Sequence, residues 1–169
     1  MDEERRGFAV PQATGEYLDI DLAQLDPEDA DERRILIEAE HPELHRALES
    51  GRQEIHIGGE TLNPTLHIAM HEVVANQLWD DNPPEVWRTA QRLVAAGYER
   101  HEVLHMLASV VANDVFDILK TETPHDPDKT RAALDALPGS WEERRDAIPA
   151  ERHLNRAERR AAARKHRRN

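Results

Sequence analysis

The chain has 169 residues, a formal net charge of −12 and no cysteine. Its length suits one domain with a real hydrophobic core. The absence of cysteine excludes disulfides, thiolate metal sites and a cysteine nucleophile, and leaves His, Asp and Glu as metal ligands.

Residues 1–25 mix charges with Pro11 and Gly15, show no period and read as an N-terminal arm. Within it, residues 17–22 alternate apolar and polar side chains, which predicts a short extended segment or hairpin. The first ten residues are charged and lack the apolar core of a signal peptide. No apolar run approaches the ~20 residues needed to cross a bilayer. The expectation is a soluble, cytoplasmic chain with no membrane partner.

Residues 26–148 form the expected helical core domain. Asp26-Pro27 is a cap followed by a first-turn proline, and predicts a helix over 27–40. Pro42 interrupts it, and 42–50 forms the next piece, closed by Gly51. Residues 53–59 read as extended, with a turn at Gly59. Asn63-Pro64 repeats the cap-plus-proline signal and opens a helix to about Trp79. Further helices are predicted over 84–97 and 99–120, then 130–137 and 141–148 after a loop at 121–129. The fold class is all-α: a small multi-helix bundle with a short extended N-terminal arm or hairpin.

Residues 149–169 form a basic C-terminal helix or tail. Positions 151–169 hold eight Arg and Lys against Glu151 and Glu158, a local +6 that leaves −18 for the rest of the chain. An acidic body does not neutralise phosphates, so nucleic acid is open only to this tail, which has no aromatic residue to stack on bases. A solvated basic helix is the simpler reading.

The chemistry lies in three histidine pairs spaced i, i+4: His41 and His45, His67 and His71, His101 and His105. This spacing puts both rings of a pair on one side of a helix, within reach of one ion. His67 and His71 share the face of Val74 and Leu78, opposite Thr65, Glu72 and Asn76, at the centre of the buried stripe. His101 and His105 share a flank with Ala108 and Ala112. Buried imidazoles need partners, since an unsatisfied buried polar group costs roughly 1–3 kcal/mol. The candidate metal ligands are His67, His71, His101 and His105, then His41 and His45, with Glu49 one turn beyond His45. Glu72, Glu102 and Asp114 are further carboxylates. Such a set suits Zn, Fe or Mn.

His101 to His105 also matches HExxH, the string in which Glu is the general base of zinc proteases. The downstream third ligand of such enzymes has no clear counterpart. If the site is catalytic, the expected chemistry is hydrolysis by a metal-bound water or redox work at an iron-type centre. The alternative of a different class is a non-enzymatic interaction module. In it the histidines are packed core residues and the tail meets RNA or another acidic partner.

The segments His41-Pro-Glu-Leu-His45, Asn63-Pro-Thr-Leu-His67-Ile-Ala-Met-His71 and Asp81-Asn-Pro-Pro84 together resemble the bacterial DUF1841 family over roughly residues 35–120. The resemblance implies a small, mostly helical bacterial protein. It gives weight to His41 and His45 as site residues and makes the HExxH match incidental.

Overall fold

The computed structural model describes residues 2–57, 60–122 and 124–146. The elements run in order as α1 (Asp2–Ala9), a hairpin of β1 (Glu16–Tyr17) and β2 (Ile20–Asp21), α2 (Ala30–Ala39) and α3 (His45–Glu49). A second hairpin of β3 (Ile55–Ile57) and β4 (Glu60–Leu62) follows. Then come α4 (Pro64–Asp80), α5 (Pro84–Ala95), α6 (Arg100–Thr121), α7 (Pro127–Asp135) and α8 (Gly139–Asp146). The fold is a small, mostly helical bundle. No described helix is long and apolar enough to cross a membrane.

Helix α4 is the axis on which the others assemble. Asn63 caps it by accepting from the Leu66 amide at 3.0 Å, and Pro64 occupies the first turn, where no amide donor is needed. Its buried side chains serve two clusters. Met70, Val74 and Leu78 join Val86, Leu93, Val103, Leu107 and Val110 in the main core, while Ile68 and Ala75 join Ile37 and Leu44 in a smaller one. Helix α5 ends in a full Schellman motif: Gly97 has φ +97°, its amide donates to Val94, and Tyr98 donates to Leu93. The chain turns there directly into α6.

The N-terminal arm is more ordered than its composition predicts. Residues 2–9 form α1, a mostly charged helix that packs on α4. Its Arg5 is 5% exposed and donates to the carbonyls of Leu78 and Trp79, the orphan acceptors at the end of α4. The expected extended stretch is a two-residue hairpin, in which Leu18 and Asp19 both adopt positive φ.

Helix α2 starts at Ala30, not at Pro27. Asp29 out-competes Asp26 as the cap, because its carboxylate accepts from both Asp31 and Glu32. Only 45–49 of the predicted 42–50 piece is α-helix. Residues 55–57 pair with 60–62 as a hairpin; the turn expected at Gly59 lies outside the described residues. Helix α7 begins at Pro127, capped by Asp126, three residues before the expected start. The basic helix or tail of 149–169 also lies outside the described residues.

Candidate metal centre

Four imidazoles from three parts of the fold converge. His67 and His71 come from the first half of α4, and His105 from the second turn of α6. His41 stands just past the end of α2. One ring nitrogen from each lies within 4.8 Å of every other. The ring centroids of His41 and His71 are 4.5 Å apart, those of His67 and His71 4.8 Å, and those of His71 and His105 4.7 Å. Four-coordinate zinc with bonds of ~2.1 Å needs its donors ~3.4 Å apart, so closure moves each ring by roughly 1 Å at most.

Helical geometry explains how α4 delivers its pair. At about 100° per residue, His67 and His71 fall between the Ile68–Ala75 side and the Met70–Val74 side. They therefore sit at the seam of the two apolar clusters. His41 arrives differently. The chain has left α2, and the His41 ring turns back so that Nδ1 lies 2.8 Å from the Ile37 carbonyl oxygen. A carbonyl only accepts, so Nδ1 carries the proton and donates. The lone pair is then on Nε2, which is buried without a hydrogen-bond partner.

The cluster is buried and short of partners. His41 is fully buried and His71 is 4% exposed. His67 and His105 are half-buried, and only His101 of the five neighbouring rings is exposed. Among the described residues, Nε2 of His41, His67 and His71 is buried with no hydrogen-bond partner. Burial, reinforced by the neighbouring imidazoles, holds the His67 pKa down to about 4 and that of His105 to about 3. The same causes push His71 lower still, and burial also lowers His101. These rings are therefore held neutral, the form that binds metal.

His101 touches the group without belonging to the tight four. Its Nε2 is 3.0 Å from that of His105, and its ring centroid is 5.0 Å from that of His41. His45 stands apart. Its Nε2 donates to the Glu38 carbonyl at 3.0 Å and its ring lies against Tyr17. The proline between His41 and His45 breaks the helical register, so the two rings do not share a face. Glu49 is exposed at the end of α3 and is not in the group.

Among the described residues, no carboxylate joins the four. Glu72 is engaged by Arg34 at 3.0 Å, Glu102 by Arg145 at 2.8 Å, and Asp114 takes the Thr130 hydroxyl. The Glu of the HExxH string thus pairs with Arg145 of α8 and lies outside the group of four. Two residues that sequence spacing does not reveal fix the frame. Glu40 and Arg100 pair at 2.8 Å, both nearly buried, and Arg100 also donates to the carbonyls of Phe8 and Val10. They immediately precede His41 and His101, so this bridge ties the end of α2 to the start of α6. The one local signal is that each lies next to a histidine.

Residues 23–136 match the family described as Domain of unknown function (DUF1841). No curated protein and no solved structure matches the chain. The match extends beyond the 35–120 suggested by the motifs and takes in all four converging histidines. The chain belongs to the DUF1841 family.

Proposed function

We propose that this protein binds a single divalent transition-metal ion on His41, His67, His71 and His105. The observation that carries the reading is the set of three buried Nε2 atoms without partners, on rings that belong to one imidazole cluster. Left unmet, each costs roughly 1–3 kcal/mol, and one ion satisfies all three at once. The donor set is wholly imidazole, which suits Zn and Fe(II) and disfavours Mn, an ion that prefers oxygen. Four protein donors fill a tetrahedral zinc, the pattern of a site that holds its ion rather than one that opens a position for water. Holding the ion is therefore favoured over hydrolysis.

The test is a zinc titration of chelator-treated protein by calorimetry. The wild-type chain takes up one equivalent, and His67→Ala and His71→Ala each lose tight binding. Unchanged stoichiometry and affinity in both variants would remove α4 from the site and end the proposal.

A further inference from the structure

Five imidazoles converge where a tetrahedral ion uses four, and the fifth is the exposed one. His101 lies one turn before His105 on α6, and a hydrogen bond of 3.0 Å joins the two Nε2 atoms, which an ion between them would replace. That separation is close to the edge between two donors that share an ion, ~3.0–3.4 Å for bonds of ~2.1 Å. Its ring lies near three of the inner four, with centroids 4.7 Å from His105, 5.0 Å from His41 and 6.0 Å from His71. Exposure falls steadily inward from His101 through half-buried His105 to His71 and His41.

We infer that His101 is the port of this site: it takes the ion at the surface and passes it through His105 to the buried set. The chemistry is associative ligand exchange. An ion held by His101 and His105 gains His41 and His71 before it releases His101, so no bare ion crosses the apolar wall. On the way out, His101 binds first and the inner donors let go. A residue with this role speeds uptake and release together and leaves the equilibrium nearly unchanged. A resident ligand would instead change the affinity. The proposal rests on the metal-binding reading above, and it names how that same site exchanges its ion.

The experiment is stopped-flow zinc uptake by the full chain, and zinc release to an excess of a colorimetric chelator. His101 is exposed, so His101→Ala leaves the buried framework untouched. The expected result is one zinc per chain with an affinity within about three-fold of wild type, and uptake and release both slower by about ten-fold. His101→Asp, which keeps a metal-binding group at the rim, retains most of the wild-type rate. Wild-type rates in His101→Ala would make His101 a bystander and overturn the port. Loss of stoichiometric zinc in that variant would make it a resident ligand and overturn the port equally. A wild-type chain that takes up no zinc sinks the metal-binding reading itself, and is distinguished by the equilibrium titration alone.

Discussion

The two halves of α4 both face α6, with opposite chemistry. In the second half, Val74 and Leu78 are fully buried in the cluster that also holds Leu93, Val103 and Leu107. The side chains named there are apolar, and the one unpartnered buried nitrogen among that cluster's described buried residues is Nε1 of Trp87, a donor that binds no metal. In the first half, His67 and His71 take the equivalent inward positions and meet His41 and His105. His71 is nearly as buried and His67 half so, yet Nε2 of both, like that of His41, has no hydrogen-bond partner. A chain gains nothing in stability by replacing leucine with imidazole at such a seam unless something else satisfies the nitrogens. On the proposed reading, the apolar half needs only the folded chain, whereas the polar half is completed by the ion.

The sharpest way to break this contrast is to cut one residue from each half. Leu78→Ala is expected to cost about 3–4 kcal/mol whether or not zinc is present, from lost burial and a cavity. His71→Ala is expected to cost under about 1.5 kcal/mol in chelator, because the lost packing is offset by removing an unpartnered nitrogen. In zinc at about 1,000 times its dissociation constant, the same variant forgoes the whole ~4 kcal/mol that binding adds. Urea unfolding of both variants, with and without zinc, reads the comparison. Equal, zinc-independent losses would show that the two halves are the same kind of core.

Acid offers a second test. The folded-state values of His67 and His105, about 4 and about 3, lie below the ordinary histidine value of ~6.5. Between these limits the unfolded chain binds protons that the folded chain refuses. Stability of the chelator-treated protein is therefore complete above about pH 6.5 and falls as the pH drops toward 4 and 3. The slope is up to ~1.4 kcal/mol per pH unit for each such ring, or roughly 3 kcal/mol per pH unit for the two together near pH 5. A urea series from about pH 7.5 to about pH 4.5 checks it. A flat profile would mean that the rings are not held neutral.

Smaller effects sharpen the contrast further. Glu40→Ala leaves Arg100 nearly buried with only carbonyl partners, and is expected to cost about 2 kcal/mol and weaken zinc affinity by about ten-fold. The same unfolding and titration experiments measure both, and undiminished affinity would show that the Glu40–Arg100 bridge does not set the frame. Glu49→Ala is expected to change stability by less than about 0.5 kcal/mol and zinc binding not at all, since Glu49 is exposed and outside the group.

What the sequence made legible was local. Asn63-Pro64 specifies the start of α4 through its own cap, and the 3.6-residue period puts His67 and His71 on the inward face. The pair spacing of His101 and His105 holds on α6. It does not tell which ring is inner, because that depends on how α6 lies against α4. The symmetry of the three pairs misleads at the first. His41 joins the cluster through a turn after α2 and a hydrogen bond to Ile37, a geometry with no helical period, while the next turn commits His45 to Glu38 and Tyr17. Helix α1 and the Glu40–Arg100 bridge were illegible for a common reason. Arg5 is held by carbonyls 73 and 74 residues away, and Arg100 by a carboxylate 60 residues away, so no local pattern carries either.

The most direct measurement is elemental analysis of untagged protein purified without chelator and extensively dialysed. The expected result is about one transition-metal ion per chain, zinc or iron, bound through the four histidines. A chain carrying no stoichiometric metal, with a melting temperature unmoved by added zinc or iron(II), would contradict the metal-binding reading.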